Sequence, residues 1–306
     1  MIRQKQKLVT LWNKIIDERN IALNKYQILK DKIVQYIYSP PIIKSMDETL
    51  EEIIKKKASV GRYGDGEFKL IKNQSITFQR ADLTLSNRLR EILLSKDENF
   101  LVCIPNVFKN LSILAEEPLS YWQLHIAKNR LAWYKLLNKD KVYYNSFISR
   151  FYYPFKNKSK SGIWLTKLKL LWEGKKVVIV EGKKSRLGVG NDLFNNTLSI
   201  ERILVPEENA FCQYDKILDE VKRMKKNKLI LLAIGPTATV LSYDLYKLGY
   251  QAIDIGHVDI EYEWYLKKAD TKISVENKYV CEAGAGKGVG DIADTKYINE
   301  IISRIS

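Results

Sequence analysis

The stretch Arg62-Tyr63-Gly64-Asp65-Gly66-Glu67-Phe68 alternates two glycines with two carboxylates. A run at 58–63 that can form a strand precedes it, and Phe68-Lys69-Leu70-Ile71 can open a helix after it. Glycine at such a junction lets the chain turn sharply and lie close to a ligand. In extended backbone, residues two apart face the same way, which points Asp65 and Glu67 into one cleft. Two hard oxygen ligands side by side suit Mg2+ or Mn2+, above all when a substrate phosphate completes the shell. The plainer alternative is that Asp65 caps the helix and Glu67 favours its positive end.

Three further loops each follow an expected strand. The first, 181–192, combines Lys183, Lys184 and Arg186 with Gly182, Gly188 and Gly190, and is expected to run into a helix. Free backbone N–H groups, a helix N-terminus and cations together make an anion site; a glycine-rich surface turn with solvated lysines is the alternative. The second is Gly235-Pro236-Thr237-Ala238-Thr239, a proline-led helix start that also exposes N–H groups. The third is 256–263, where His257, Asp259 and Glu261 alternate. Extended backbone would place these three on one side, as a metal ligand or general base; a capped helix start is the alternative. The other histidine, His125, sits in a helical aromatic stretch and reads as structural. Gly284-Ala285-Gly286-Lys287-Gly288-Val289-Gly290 lacks the order of a nucleotide-binding loop and reads as a mobile segment that can close over a substrate.

These loops need a scaffold. Short apolar strands at 176–180, 200–205, 228–234 and 251–255 alternate with helices at 215–226 and 236–248. That alternation predicts βαβ units on a parallel sheet, whose ligands bind beyond the carboxyl ends of the strands. In the first half, helices are expected at 46–57, 82–94 and 111–138, and strands at 100–104 and 142–149. Residues 1–38 read as one amphipathic helix, with Leu8, Leu11, Ile15, Ala22, Tyr26, Leu29, Ile33 and Ile37 as its apolar stripe. Basic residues dominate its polar positions, which suits an anionic membrane surface. A narrow stripe instead favours packing on the main domain or a second subunit. Pro40-Pro41 ends the helix, so the chain divides into a basic helix and linker at 1–44 and a main domain at 45–306.

The composition limits the classes. At 306 residues with 45% hydrophobic and 28% charged content, the chain is an ordinary globular one with no bilayer-spanning run or secretory signal. Its three scattered cysteines form neither a disulfide framework nor a zinc site, which points to the cytoplasm. The net charge of +15 admits nucleic acid, anionic membrane or phosphorylated small molecules. A basic nucleic-acid-binding protein stays as an alternative class, disfavoured because the aromatics mostly fall at core spacing and no clear reading motif stands out.

Together the segments resemble the GT-D glycosyltransferases, a bacterial family once known only as a domain of unknown function. Arg62-Tyr63-Gly64-Asp65-Gly66-Glu67-Phe68 is similar to the family's Arg-aromatic-Gly-Asp-Gly-Glu-Phe segment with its Asp-x-Glu motif. Ile76-Thr77-Phe78-Gln79 with Asp82, and Ser185-Arg186-Leu187-Gly188-Val189-Gly190-Asn191-Asp192, resemble two further blocks. Gly235-Pro236-Thr237-Ala238-Thr239, and Asp254-Ile255-Gly256-His257 with Asp259 and Glu261, complete the family order over about 45–285. The resemblance implies a Rossmann-like, mostly parallel sheet flanked by helices, with the N-terminal helix as an extension. It implies transfer of a sugar, typically glucose from UDP-glucose, onto a glycan of a bacterial surface glycoprotein or polysaccharide, with Mn2+ or Mg2+ on Asp65 and Glu67. His257, Asp259 and Glu261 are added as catalytic candidates from their loop. The substrate-binding set is Arg62, Gly64, Gly66, Phe78, Gln79, Asp82, Lys183, Ser185, Arg186, Gly188, Gly190, Asn191, Asp192, Pro236 and Thr237. The expected setting is cytoplasmic, with peripheral contact at the inner membrane face through the N-terminal helix, and a homo-oligomer is compatible with it. A metal-dependent phosphohydrolase on a nucleotide would use the same carboxylates.

Overall fold

The computed structural model describes residues 2–280, 282–283 and 288–306. Of the glycine-rich run at 284–290, residues 284–287 therefore lie outside the described residues. The first half comprises α1 (Ile2–Ile37), β1 (Ile42–Ile43), α2 (Met46–Lys56), β2 (Ser59–Arg62), α3 (Asp65–Ile71), α4 (Leu83–Leu93), β3 (Phe100–Ile104), α5 (Glu116–Leu136) and β4 (Val142–Asn145). The second comprises α6 (Ser161–Trp172), β5 (Lys176–Gly182), β6 (Ser199–Val205), α7 (Tyr214–Lys222), β7 (Leu229–Ala233), α8 (Pro236–Lys247), β8 (Gln251–Asp254), α9 (Val258–Leu266), α10 (Thr295–Glu300) and β9 (Ile301–Arg304). They form two compact units, 1–41 with 107–139, and 42–106 with 140–306.

The larger unit is built on one nine-stranded sheet in the order β1-β4-β3-β2-β8-β7-β5-β6-β9, with every pairing parallel. A parallel sheet is covered on both faces, so its strands must be apolar throughout. Accordingly, all of Phe100-Leu101-Val102-Cys103-Ile104 is buried, as are Val177 to Val180 and Leu229 to Leu232. Local signals fix the helix ends. Ser45 and Glu48 close a reciprocal cap at the start of α2, and Lys57 ends it in the left-handed conformation. Strands β2 and β8 lie side by side. Leaving β2 the chain moves to β3 on one side; leaving β8 it returns at β9 on the far side. Such a reversal opens a crevice beyond the strand ends.

Four sequence expectations change. The chain leaves β4 at Asn145, because that side chain accepts the Phe147 N–H (3.0 Å) and starts one 3-10 turn, Ser146–Ser149. The helix expected from 111 begins at Glu116. No helix follows the 181–192 loop: residues 183–198 form turns. Two N–H groups there are taken by distant carboxylates, Leu187 by Glu181 (2.7 Å) and Gly188 by Asp259 (2.9 Å), so no helical ladder can start. Finally, the backbone at 257–261 is not extended. The Glu261 N–H bonds the His257 carbonyl (3.0 Å), and α9 begins.

In the smaller unit α1 packs on α5. Among the α1 residues whose side chains are described, those that lose solvent are Asn24, Gln27, Ile28, Asp31 and Val34. Asp31 takes both arms of Arg130, from Nε at 2.6 Å and Nη2 at 2.9 Å, while Nη1 donates to the Phe108 carbonyl (2.9 Å). Both ions are buried. Trp122, His125 and Trp133 pack edge to face beside them, which gives His125 a structural place. A buried ion left alone costs far more than the pair gains. Asp31→Ala should therefore lower unfolding free energy by roughly 3 kcal/mol, and Asp31→Leu with Arg130→Met should recover most of it, as read from urea denaturation.

Candidate active site at the β2–β8 crevice

Arg62, the last residue of β2, reaches across to β8. Its Nε donates to the Asp254 carbonyl and its Nη2 to Asp254 Oδ1, each at 2.8 Å. Its Nη1 lies 3.5 Å from the Ser146 carbonyl beyond β4. Thr239 of α8 donates from Oγ1 to the Arg62 carbonyl (2.7 Å). Burial pushes the Asp254 carboxyl up from its ordinary range, and Arg62 opposes that shift. Gly256 makes the arrangement feasible. It has φ +41°, and a Cβ there would stand 1.9 Å from Arg62 Nη2. Arg62 is thus committed to the protein itself.

The carboxylate pair sits beside this clamp, although not in extended backbone. Gly64 is the N-cap of α3, and Asp65 and Glu67 occupy the first and third helical positions. Glu67 Oε2 accepts the Gly64 N–H at 2.6 Å. Asp65 Oδ2 pairs with Lys69 at 3.0 Å and keeps 31% of its side chain exposed. The helix-capping alternative is therefore realised, with Glu67 rather than Asp65 as the cap. Capping does not consume the pair: Glu67 keeps Oε1, and Asp65 faces solvent in part. Burial, reinforced by Asp254 and Asp65, raises the Glu67 pKa to about 7. Gly66 packs close under Ile76, at 3.2 Å for a virtual Cβ.

Helix α9 separates the three residues of the third loop. Residues two apart on a helix lie about 200° apart, so Asp259 and Glu261 turn to opposite sides. Asp259 Oδ1 accepts from the Gly188 N–H (2.9 Å) and Asn191 Nδ2 (2.8 Å), and its Oδ2 from Lys278 (2.7 Å). Lys278 also reaches Glu263 (3.1 Å). Glu261 Oε2 accepts the N–H groups of Tyr152 (3.1 Å) and Tyr153 (2.8 Å). Neither acid is exposed beyond 2%. Both hold loops, and neither is placed to take a proton from a substrate. His257, at the N-cap, keeps 30% of its side chain exposed and lies 3.6 Å from Glu282. Burial, with Arg150 next, lowers its pKa to about 4, so it is neutral at physiological pH. Arg150 grips Glu282 with both arms. Burial works against the Glu282 charge, but Arg150, His257 and Lys272 hold it well below the usual carboxylate range.

The remaining candidates fall in three places. The turn at 76–80 lies over β7: Phe78 packs on Gly235, and Gln79 is buried with Oε1 facing the Phe211 N–H (3.4 Å). Asp82 caps α4 through the Leu85 N–H (2.9 Å). Arg186 of the 181–192 loop is buried and donates to the carbonyls of Asn277 (2.7 Å) and Gly290 (2.6 Å), so it braces the C-terminal segment instead of offering a free cation. Asn191 also bonds Glu263 (2.7 Å), and Asp192 meets the Tyr262 hydroxyl and Lys169. Lys183 is exposed, Ser185 closes a turn onto Gly182, and Gly190 is exposed at φ +77°. At the start of α8, Pro236 and Thr237 are buried, and Thr237 Oγ1 has no hydrogen-bond partner. Arg150, Lys278 and Glu282 were not among the sequence candidates, and Asp254 stood there only within a family block, without a role. Asp254 could have been found as an acid closing the apolar pair Ala252-Ile253 at a strand end; the other three have no local signal.

A family model described as the glycosyltransferase GT-D fold matches residues 60–283. The chain belongs to the GT-D family. A probable glycosyl transferase Gly of Streptococcus gordonii is 39% identical over 263 residues, which are 86% of this chain and 38% of that protein. The glycosyltransferase GlyD of Streptococcus pneumoniae is 37% identical over 264 residues, 86% of this chain and 32% of that protein. The chain thus spans about a third of either relative's length. A solved structure described as a new glycosyltransferase from Streptococcus sanguinis superposes with a TM-score of 0.83 at 38% identity, covering 87% of this chain and 100% of that one. The GT-D match includes both sides of the β2–β8 crevice.

Two predictions follow from this geometry. Gly256→Ala drives a methyl group into the Arg62 guanidinium and strands the buried Asp254 carboxylate; the urea midpoint should fall, by roughly 3 kcal/mol in unfolding free energy. Burial raises the Glu261 pKa from 4.5 to about 7. Between those values the native state binds more protons than the unfolded chain, so this group's contribution to stability falls as pH rises. His257, lowered from 6.5 to about 4, acts in the opposite sense over that window. Glu261→Gln removes only the first effect. Its thermal midpoint relative to wild type should climb between about pH 5 and about pH 8.

Proposed function

We propose that this GT-D chain transfers a sugar, glucose in the first instance, from a UDP-sugar onto a glycan acceptor of a bacterial surface glycoprotein or polysaccharide. The observation that carries the proposal is the pair Asp65 and Glu67, partly exposed at the start of α3 and braced by the Arg62–Asp254 clamp at the sheet's switch point.

The donor set fits a hard divalent cation in part. Asp65 and Glu67 supply oxygen ligands, and burial, with Asp254 and Asp65 nearby, raises the pKa of Glu67, so a cation there would favour its charged form. Among the described residues no group of three His, Cys, Asp or Glu could hold a metal, so a diphosphate and water would complete the shell. When bound, Mg2+ or Mn2+ would stabilise charge growing on the leaving diphosphate. The chain's own part is to fix those ligands. Gly64 orients Glu67 through its N–H, and Arg62 holds β2 and β8 in register beneath them. Thr237, with its unpartnered hydroxyl, and the N–H groups opening α8 stand at the neighbouring strand end, where an anionic donor group gains from the helix N-terminus. Of His257, Asp259 and Glu261, His257 is the one that reaches solvent, and as a neutral imidazole it can bond a sugar hydroxyl.

UDP-glucose turnover tests the proposal, measured with Mn2+ and with chelator on wild type and on Asp65→Ala with Glu67→Ala. Metal-dependent UDP release should fall by roughly a hundredfold or more in the double variant. Release of UMP or phosphate instead of UDP would support a phosphohydrolase. No binding of any UDP-sugar, with or without metal, would overturn the donor assignment.

A further inference from the structure

Helix α1 turns the wrong way for an ordinary packed helix. The stripe that loses solvent is mixed, with Asn24, Gln27 and Asp31 beside Ile28 and Val34, and Asp31 is held by Arg130 of α5. Its apolar stripe is left bare. Trp12, Ile15, Tyr26, Leu29, Ile33 and Tyr36 recur at steps of three, four and seven or their sums, the spacing of one helix face. Leu29 is 62% exposed, Ile33 63% and Tyr36 94%. Leu29 and Ile33 each stand two residues from Asp31, about 160° around the helix from the Arg130 contact. A continuous bare stripe of this kind marks an interaction surface.

Charge selects the occupant. Arg19 and Lys30 lie on the stripe itself, and Lys14, Lys25 and Lys32 follow one of its borders, all exposed. The helix has three acids, Asp17, Glu18 and Asp31, of which Asp31 is buried under Arg130 and only Glu18 lies beside the stripe. A second copy seated on this face would bring the same cations against one another, with Glu18 alone to offset them. An anionic lipid surface meets them with opposite charge, admits Leu29 and Ile33 below the headgroups, and takes Trp12, Tyr26 and Tyr36 at headgroup level. No helix among the described residues is long and apolar enough to cross a membrane, so α1 would lie on the surface. We infer that the exposed face of α1 docks the chain onto anionic phospholipid. The inference concerns the smaller unit and does not rest on the sugar-transfer proposal.

The test is co-sedimentation of the full chain with vesicles of phosphatidylcholine alone or mixed with phosphatidylglycerol, at low and high salt. Wild type should bind the mixed vesicles and release at high salt. Each basic residue near an anionic surface contributes roughly fivefold to partitioning. Lys25→Glu with Lys30→Glu and Lys32→Glu should therefore lose at least about tenfold. Leu29→Glu with Ile33→Glu should lose a comparable factor while keeping the wild-type circular dichroism spectrum, since both positions are exposed. Retained binding in this apolar-face variant would overturn the inference, because the chain's net charge alone would then explain adsorption. So would a wild-type dimer that the same variant dissociates, with no vesicle binding, which would give the face to a second copy. Absence of binding to mixed vesicles would overturn it directly.

Discussion

The Arg62–Asp254 pair is the constraint on which the rest of the crevice depends. Neighbouring strands β2 and β8 share only a short pairing, at Val60 and Ile253, before their ends diverge. A guanidinium bonded to both the carbonyl and the carboxylate of Asp254 closes that gap. Because both groups are largely withdrawn from water, neither can be left without the other. The clamp fixes where α3 begins, since Gly64 and Asp65 follow Arg62 within three residues, and it fixes where α8 rests through Thr239.

Around the clamp, charge is divided by role. Asp259, Glu261 and Arg186 bond loop backbone at Gly188, at Tyr152 and Tyr153, and at Asn277 and Gly290, so they brace the loops around the crevice. Asp65, Glu67 and His257 keep part of their surface for a ligand. The elevated pKa of Glu67 and the lowered pKa of His257 have one physical origin, burial that disfavours the charged form. A polar donor or a cation entering there would meet groups already stripped of water, where electrostatic contacts are stronger than at an open surface.

The smaller unit follows another logic. On the α1 side its contact joins a buried ion pair and polar side chains to Ile28 and Val34, while the larger apolar stripe of α1 is left outside. The strongest hydrophobic pattern in residues 12–37 therefore describes what the helix offers to a partner, not what holds the helix to α5.

Much of the fold was legible in the sequence. The apolar runs of β3, β5 and β7 can only be strands buried on both faces, and Ser45 with Glu48, or Pro236 after Gly235, mark helix starts through contacts three residues long or less. Strand–helix alternation gave the parallel sheet, but the reversal between β2 and β8 came only from the strand order. What the sequence could not show was which polar residues the protein uses up internally. Arg62 finds its partner 192 residues away, Arg186 finds one of its carbonyls 104 residues away and Asp259 meets the Gly188 N–H 71 residues back. The helical backbone at 258–261 separated three residues that an extended chain would have aligned. Likewise the apolar stripe of α1 was readable, but not that the opposite stripe would be buried. Periodicity and capping act over one turn of chain and are written locally. Hydrogen-bond satisfaction of buried charge acts across the sheet, and only the tertiary structure decides it.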